Sequence, residues 1–565
     1  MSAPKILITT FGLVALGLAI AAVGTVLWLR YEFARVESDS ARLTFSSNMP
    51  AIAGVQPDQL TEPCNQQYPH NKAWFGALHV HTTASYDASA FGTITTVDDA
   101  YAYARGRPTP LRLRDDPPGY TAPILQISSP LDFMGVTDHA EGLGEKQLCY
   151  SPDSTAYGAL VCRLFRGELR LPVDETLQPI IRMATLAIFG KDRSARICGE
   201  DGALCQRQSQ RVWQDNQRGT EAWLDRSSNC EFTTFHAYEY TLAEEASNLH
   251  RNIVFKSEVV PPSIISAKEA PKPEQLWQWL DQVCIQGSSG CDALVIPHNS
   301  NWSSGRMWFP ISAADKPLAE QQRLARLRER LEPLVEIMQV KGDSECRNGI
   351  ASVLGRPDEF CNFEKLRPAS EVIADCGETV GRGGMMLSGC VSRYSFVRYA
   401  LTAGLAEHQK LGINPFRLGI VAASDNHNGL PAAGQEKGSL GSHGMDRSPR
   451  HRLTGNLEVP GDIATGSPVR YNPGGIAGVY ARENSRAALF EAMQRRETFG
   501  TSGPRIKPRL FAGWTLDENL CQSDQQLELA YRDGVPMGAN LPLPRDASPQ
   551  SPVFMASATR DPRPG

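Results

Sequence analysis

Length, composition and charge exclude several classes of protein. The chain has 565 residues, enough for two or three domains or for one large barrel with insertions. A hydrophobic content of 41% and a charged content of 21% exclude a disordered or collagen-like chain. The formal net charge of −5 provides no basic footprint, so we expect no nucleic-acid partner.

An uncharged run of 24 residues near the N-terminus, ILITTFGLVALGLAIAAVGTVLWL at 6–29, is long enough to cross a bilayer. It predicts a signal anchor over residues 1–33 through which the protein contacts the membrane. The small residues in AIAAVG leave a cleaved signal peptide as the alternative. Residues 34–71 are polar and aperiodic, which is typical of a tether.

Cysteine usage indicates the compartment. The chain has 13 cysteines, several in close pairs such as Cys198 with Cys205 and Cys284 with Cys291. Such spacings predict disulfide-stapled loops in an oxidising compartment, with one thiol left over from the odd total. We therefore expect a cell-envelope protein, periplasmic or extracytoplasmic and anchored to the inner membrane, although the positive charges that follow the anchor do not favour export.

Short apolar runs recur from Trp74 onward, and each is followed by residues that can hold a metal. The runs are WFGALHVH, LDFMGVTDH, CEFTTFHAYEYT, ALVIPH and FRLGIVAASDNH. With amphipathic segments between them, they predict buried parallel strands in an α/β fold. In such folds catalytic groups gather at the carboxyl ends of the strands, which is where these polar residues fall.

Two long stretches interrupt the strand pattern and carry cysteines. Residues 147–228 contain helix-like segments, and residues 307–411 include the helical run LAEQQRLARLRERLEPLVEI. We expect both to be insertions that either form a lid over the active face or cover a sheet edge. Beyond RRETFGTSGPRI the chain is rich in turns, and residues 506–565 form a separate C-terminal region.

The polar residues at the strand ends are metal-ligand types. In an extended segment residues i and i+2 point to the same side, so His79 and His81 can reach one ion together, and Asp425 and His427 share that spacing. Imidazoles and carboxylates suit zinc, manganese or iron. Further donors are His139, Glu239, His250 and His298. Donors at several strand ends imply more than one ion, whereas a single H-x-H could be two satisfied polar residues.

A set of ordered motifs carries a family resemblance. The motifs are FGALHVHTTASYDA, TDHAEGLG, EYTLAEEASNLHRNIVF, IPHNSNWSSGRM, QVKGDSEC, ASDNHNGLP and RRETFGTSGPRI. From about Cys64 to the end, the chain resembles the PHP (polymerase and histidinol phosphatase) superfamily, and more closely a bacterial PHP-like family long labelled as a domain of unknown function. The resemblance implies a distorted seven-stranded, TIM-like β/α barrel over residues 72–505. It also implies two or three bound metal ions and hydrolysis of phosphate esters.

The resemblance further implies which residues hold each ion. The first would take His79, His81, Glu239 and Asp425, and the second would share Glu239 and add His250 and His298. The third would take Asp87, His139 and His427, where Asp87 replaces a residue that is often histidine in the superfamily. Relatives commonly continue with β-rich sequence, so residues 506–565 are expected to be an incomplete β-rich segment.

These residues predict a phosphate or phosphonate monoesterase that uses a metal-bound hydroxide at a di- or trinuclear manganese, zinc or iron site. Its partner would be a small-molecule ester, whose tetrahedral anion needs cationic and amide groups. The catalytic candidates are Lys341, Arg251 and, as a proton carrier, Glu345; the substrate-binding candidates are Asn299, Asn301 and Arg306. Asp138 is expected to orient His139, and His236 to be a core residue.

Three other functions fit the same residues. An exonuclease fits the superfamily, but the acidic balance of the chain and its apolar N-terminal segment disfavour it. A hydrolase of another bond type needs the same ions, and a non-enzymatic metal-binding envelope protein needs a site closed to water. The oligomeric state is not readable from this sequence.

Overall fold

The computed structural model describes residues 62–169, 172, 178–187, 193–350, 356–368, 370–431, 440–449, 471–544 and 551–562. The predicted anchor, 1–33, and most of the predicted tether lie outside these residues. Within the described ranges no helix is long and apolar enough to span a bilayer. Residues 62–71 are held against the folded part by the Cys64–Cys230 disulfide and by the Glu62 amide, which donates to the Arg226 carbonyl.

The strands are short and are numbered in chain order. They are β1 (Lys72–Ala77), β2 (Thr109–Pro110), β3 (Ile124–Leu125), β4 (Phe133–Gly135), β5 (Thr233–Phe235), β6 (Ala237–Tyr240), β7 (Ala243–Glu244), β8 (Ser247–Asn248), β9 (Arg251–Phe255), β10 (Ala293–Pro297), β11 (Leu334–Gln339), β12 (Gly342–Asp343), β13 (Gly419–Ala422), β14 (Ile476–Ala481), β15 (Thr498–Thr501), β16 (Lys507–Gly513), β17 (Val535–Pro536) and β18 (Val553–Thr559).

Helices separate most of the strands. They are α1 (Tyr86–Ala90), α2 (Val97–Ala104), α3 (Leu143–Tyr150), α4 (Leu160–Phe165), α5 (Gln178–Ala187), α6 (Ala195–Cys198), α7 (Ala203–Trp223), α8 (Pro273–Leu280), α9 (Leu318–Leu331), α10 (Val397–Leu411), α11 (Arg486–Gln494) and α12 (Gln526–Asp533). Local chemistry fixes several ends: Thr96 and Asp99 form a capping box on α2, Pro273 opens α8, and Gly412 closes α10 in the left-handed conformation.

Three sheets form the scaffold of this mixed α/β protein. The first has the order β15-β14-β1-β4-β5, in which β1 and β4, and β4 and β5, run parallel. The second has the order β10-β9-β6, and the third the order β12-β11-β13 with β11 and β13 parallel. The predicted apolar runs are therefore strands, but β9 runs antiparallel to β6 and β10, contrary to the all-parallel expectation.

The hydrogen bonds of the described strands define separate sheets and do not show a closed seven-stranded barrel. The sheets nevertheless share apolar contacts. One buried cluster takes side chains from the first, second and third sheets, including Phe133, Phe235, Val254, Leu294 and Val421. A parallel bridge between Val80 and Asn426 also joins the segment after β1 to the segment after β13. The carboxyl ends of strands from different sheets thus meet at one place.

The predicted helical run in LAEQQRLARLRERLEPLVEI is wrong over its last six residues. Helix α9 ends at Leu331, and residues 334–339 form β11. Pro333 disfavours helical backbone before it and removes a backbone donor, so the apolar LVEI segment pairs with β13 instead. Because β11 belongs to the third sheet, the predicted insertion at 307–411 contains part of the scaffold.

Six disulfides join the described cysteines and confirm the predicted close pairs. They are Cys64–Cys230, Cys149–Cys162, Cys198–Cys205, Cys284–Cys291, Cys346–Cys361 and Cys376–Cys390. Cys521 is an exposed free thiol, as the odd total predicted. So many disulfides indicate an oxidising compartment outside the cytoplasm. The C-terminal region contributes a sheet of β17, β16 and β18.

Candidate metal centre

The donors predicted from the sequence converge where strands of the three sheets end. His79 and His81 follow β1, His139 follows β4, and His298 follows β10. Glu239 lies in β6, His250 directly precedes β9, and Asp425 and His427 follow β13. Every one of these side chains is buried except that of His250, which is half-buried. His250 joins the others from the amino end of its strand because β9 runs antiparallel to its neighbours.

Four side-chain atoms form the centre of the cluster. The Nε2 atom of His79 lies 3.3 Å from Glu239 Oε2 and 3.1 Å from Asp425 Oδ1. The Nε2 atom of His81 lies 3.2 Å from each of the same two oxygens. All four atoms are buried, and none of them makes a hydrogen bond. Polar atoms that converge without bonding one another are arranged to share a cation.

The far nitrogen of each central imidazole has a partner that fixes the ring. His79 Nδ1 lies 2.9 Å from Glu336 Oε2, and this carboxylate can only accept. His81 Nδ1 lies 2.9 Å from Ser85 Oγ, which itself donates to Asp138 Oδ1 at 2.8 Å. In both rings Nδ1 therefore donates to its partner, which leaves Nε2 as the nitrogen that can present a lone pair to a cation at the centre. This is the tautomer that a metal ligand needs.

Glu239 extends the cluster to one side. Its Oε1 atom lies 2.8 Å from His250 Nδ1 and 3.3 Å from His298 Nε2, while its Oε2 atom faces His79 and His81. The remaining nitrogens, His250 Nε2 and His298 Nδ1, are buried without a hydrogen bond. One carboxylate thus lies between two groups of imidazoles, as a bridging ligand does.

Asp87 collects a third group of donors on the other side. It lies in α1, and its Oδ2 atom is 2.9 Å from both His139 Nε2 and His427 Nε2. His427 Nδ1 donates to the Asp425 carbonyl at 2.9 Å, so its Nε2 atom is also free of a proton. The His81 ring stacks on that of His427 with centroids 4.0 Å apart. With His81, these residues form a compact set of potential ligands.

The electrostatics of the cluster favour cations. Burial alone raises the pKa of a carboxyl group, but the surrounding imidazoles and, for Asp425, the Lys341 ammonium hold the pKa values of Asp87, Glu239 and Asp425 well below their usual range. Burial lowers the pKa of His298 to about 4, which keeps this ring neutral. Burial also acts to lower the pKa values of His79 and His139, but the neighbouring carboxylates outweigh it and raise both well above the usual range, so a cation bound to these rings would displace a proton. Ionised carboxylates and neutral imidazoles are the forms that bind divalent metals.

Lys341 and Asn299 border the cluster with donor groups. The Lys341 ammonium is ion-paired with Asp425 Oδ2. Gln339 donates to the same oxygen at 2.5 Å and to Asn299 Oδ1 at 2.6 Å, which turns the Asn299 amide nitrogen away. That nitrogen is buried without an acceptor. Asn299 and Asp425 both adopt positive φ, at 50° and 48°, a conformation that side chains other than glycine rarely take outside special sites.

Comparison with known proteins gives the family. A family model described as "Protein of unknown function (DUF3604)" matches residues 68–565. The chain belongs to this family. No curated protein matches the chain significantly. Among solved structures, it is similar to a two-domain protein containing a predicted PHP-like metal-dependent phosphoesterase from Bacteroides vulgatus. The identity is 10%, the TM-score is 0.29, and the match covers 83% of this chain and 85% of that chain.

Two predicted catalytic residues of this DUF3604 chain lie away from the cluster. Arg251 follows His250 in the chain, so its side chain points to the opposite face of the strand. There its Nε atom is buried and lies 2.6 Å from Glu332 Oε1. Glu345 is half-exposed and ion-paired with Arg398. Arg251 therefore stabilises the core, and Glu345 a surface loop.

Two predicted substrate-binding residues already have partners. Arg306 Nη2 donates to Glu245 Oε2 at 2.5 Å and to the Gly381 carbonyl at 3.3 Å. Asn301 donates to the Lys341 carbonyl at 3.2 Å and accepts from Ser344 Oγ at 3.0 Å. Both side chains fix loops beside the cluster. Of the predicted substrate-binding set, the Asn299 amide nitrogen and the Nε atom of Arg306 are buried donors without an acceptor.

The sequence reasoning missed several residues that support the ligands. These are Ser85, Thr241, Glu336 and Gln339, which contact His81, His139, His79 and Asp425 respectively. Side chains alternate between the two faces of a strand, so the face occupied by Glu336 can be predicted only after residues 334–339 are identified as the strand β11. Asp138 does not contact the His139 ring; it accepts from Thr82 and Ser85. His236 is a buried residue bonded to Glu221 at 2.5 Å, as expected for the core.

Proposed function

We propose that the protein is a metal-dependent hydrolase that cleaves phosphate or phosphonate monoesters at a di- or trinuclear site. The observation that carries the proposal is the convergence of His79 Nε2, His81 Nε2, Glu239 Oε2 and Asp425 Oδ1 without any hydrogen bond between them. A structural polar cluster would satisfy these atoms, because buried polar groups without a partner are costly.

The spacing of these four atoms fits a bound ion. Ligands about 2.0–2.1 Å from a tetrahedral zinc ion lie about 3.3 Å from one another. The observed separations of 3.1–3.3 Å match this value and also suit six-coordinate manganese or iron with slightly longer bonds. His250 and His298 would hold a second ion with Glu239, and Asp87, His139 and His427 a third. Bound divalent ions would supply Lewis acidity towards phosphoryl oxygens and promote ionisation of water.

The chain's own donors would orient the ester. The Lys341 ammonium and the unpaired Asn299 amide lie beside Asp425, so both can donate to an oxygen of a tetrahedral anion at the cluster. Gln339 fixes both positions, since it bonds to Asp425 and to Asn299. Positioned donors of this kind stabilise charge that develops on the phosphoryl group.

The wider assignment follows from the same residues. We propose that the three sheets are a distorted form of the PHP barrel, because they share one apolar cluster and their strand ends meet at the ligands. The disulfides support a cell-envelope location. Anchoring of the protein to the inner membrane by residues 1–33 is part of the proposal, and it rests on the apolar run at 6–29.

Metal analysis joined to an ester screen tests the function. Purified full-length protein should contain two or three divalent ions per chain and hydrolyse phosphate or phosphonate monoesters in a panel that also holds sulfate and carboxylate esters. His79→Ala and Asp425→Ala should lose both the ions and the turnover. His408→Ala is the matched control, because this histidine is exposed on α10 and should leave both unchanged. Full activity of either site variant would contradict the assignment, and cleavage of sulfate or carboxylate esters alone would contradict the substrate class.

A further inference from the structure

Two cationic side chains meet at Tyr150, outside the metal cluster. The Lys146 ammonium lies 5.5 Å from the centre of the Tyr150 ring, and the Arg114 guanidinium lies 3.9 Å from it. Lys146 is only 6% exposed, whereas Arg114 is half-buried and borders solvent. Tyr150 is the last residue of α3, next to Cys149 of the Cys149–Cys162 disulfide. A covalently braced aromatic ring thus holds two like charges near each other.

Neither cation is neutralised by a carboxylate. Among the described residues, the Lys146 ammonium has no hydrogen-bond or ion-pair partner, and the Nη1 atom of Arg114 is buried without an acceptor. Arg114 uses its Nη2 atom to donate to the neutral Ser89 hydroxyl at 3.0 Å. Burial, together with the charge of Arg114, lowers the pKa of Lys146 to about 8. Two like charges held against one ring without a carboxylate partner favour an anion as their ligand.

The nearby carboxylates are occupied elsewhere. Asp138 accepts hydrogen bonds from Thr82 and Ser85, and Asp115 is half-exposed and ion-paired with Arg182 at 3.1 Å. These two carboxylates therefore partly offset the positive charges of Arg114 and Lys146. Neither acid bonds to the Lys146 ammonium or to the Nη1 atom of Arg114.

The cation pair is adjacent to the third ligand group. Ser89, which accepts from Arg114, lies two residues after Asp87 in α1. Tyr86 of the same helix lies beside the His139 ring, with centroids 5.3 Å apart. The cation pair and the third ligand group therefore both lie against the same short helix.

We propose that Arg114 and Lys146 bind a second anionic group of the substrate, a carboxylate or phosphate remote from the ester that is cleaved. The inference rests on the proposed function, because it defines the substrate class as esters with two anionic groups. The metal cluster engages the scissile phosphoryl group, and the cation pair engages the distal oxyanion. Bidentate donation by arginine with the lysine charge beside it is well suited to an oxyanion.

Binding of inorganic phosphate to the metal-loaded full-length protein tests the site independently of turnover. Phosphate should raise the melting temperature in a saturable manner, and the apparent Kd should increase about tenfold in Lys146→Met, because one charged hydrogen bond is lost. Arg114→Met tests the same site from its exposed side. Lys256→Met is the matched control, since Lys256 already pairs with Glu491 at 3.3 Å and should leave the Kd unchanged. In His79→Ala, which weakens the metal cluster, the effect of Lys146→Met should persist.

The stability of the variants separates a ligand site from a structural role. Without phosphate, Lys146→Met should melt at the same temperature as the wild type or higher, because an unpaired buried charge is removed. A lower melting temperature together with an unchanged phosphate Kd would overturn the proposal.

Kinetics then identify the distal group. Lys146→Met should reduce kcat/KM about tenfold for monoesters that carry a distal carboxylate or phosphate, and leave kcat/KM unchanged for an uncharged aryl ester. Equal losses for all esters would overturn the subsite. If the wild type hydrolyses none of them but binds phosphate through Lys146, the hydrolase assignment fails while the anion site stands.

Discussion

Glu336, whose carboxylate contacts the Nδ1 atom of His79, provides a sharp test of the proposed metal site. Glu336 is buried in β11, and its two oxygens lie 2.9 and 3.2 Å from His79 Nδ1. We predict that Glu336→Gln weakens metal binding although Glu336 reaches no ligand atom at the centre. The amide retains the shape of the side chain but removes the charge that holds the Nδ1 proton and makes Nε2 more basic.

The expected size of this effect follows from the contact. A hydrogen bond between a charged carboxylate and a buried imidazole is worth about 1.5–3 kcal/mol, which corresponds to roughly 10- to 150-fold in an equilibrium constant. Loss of comparable partners behind metal-ligating histidines costs about 10- to 100-fold in metal affinity. We therefore expect the dissociation constant for the metal to rise by about 10- to 100-fold.

Competition with a chromophoric chelator measures this constant directly, without reference to any substrate. Glu491→Gln is the matched control, because Glu491 is exposed, pairs with Lys256 and contacts none of the candidate ligands. Circular dichroism should show that both variants are folded. An unchanged metal affinity in Glu336→Gln would refute the claim that His79 binds metal through Nε2 while its Nδ1 atom donates to Glu336.

Three further predictions concern stability. Burial alone would raise the pKa of Glu145, but the charges of Arg193 and Lys268 outweigh burial and hold this pKa at about 2. The ion pairs of Glu145 therefore stabilise the fold fully above about pH 4.5, and this stabilisation is lost as the pH falls towards 2. Glu145→Gln should therefore cost about 3 kcal/mol in urea unfolding at pH 7, and less below pH 4.5. Replacing Cys64 and Cys230 by serine should cost about 5 kcal/mol, because their disulfide closes a loop with a separation of 166 residues. Arg251→Met should cost about 1.5–3 kcal/mol without changing metal content, because it removes one of the two guanidinium partners of the buried Glu332 carboxylate, which Arg328 still pairs. Loss of metal with unchanged stability would instead place Arg251 in the site.

The candidate ligands could be predicted because their positions follow from simple periodicity. The H-x-H and D-x-H pairs occur where apolar runs end, and residues at the carboxyl ends of strands meet at one edge of a sheet. His79, His81, Asp425 and His427 were found in this way, and the structure brings them together. The family resemblance added Asp87, which no spacing rule connects to His139.

The supporting residues could not be predicted because their roles depend on tertiary context. Glu336 lies in a segment whose charges continue the pattern of α9, and only Pro333 marks the change from helix to strand. Ser85 is a common turn residue whose bond to His81 depends on how the loop after β1 folds. The assignment of Arg251 to the site was wrong because adjacent side chains of a strand point to opposite faces. The face that places His250 in the cluster therefore places Arg251 in the core.

Anomalous diffraction from a crystal of the metal-loaded protein tests the central claim most directly. We predict a metal peak about 2.0–2.2 Å from His79 Nε2, His81 Nε2, Glu239 Oε2 and Asp425 Oδ1, with a second peak on the other oxygen of Glu239. A map from metal-saturated crystals with no anomalous peak among these four atoms would contradict the account.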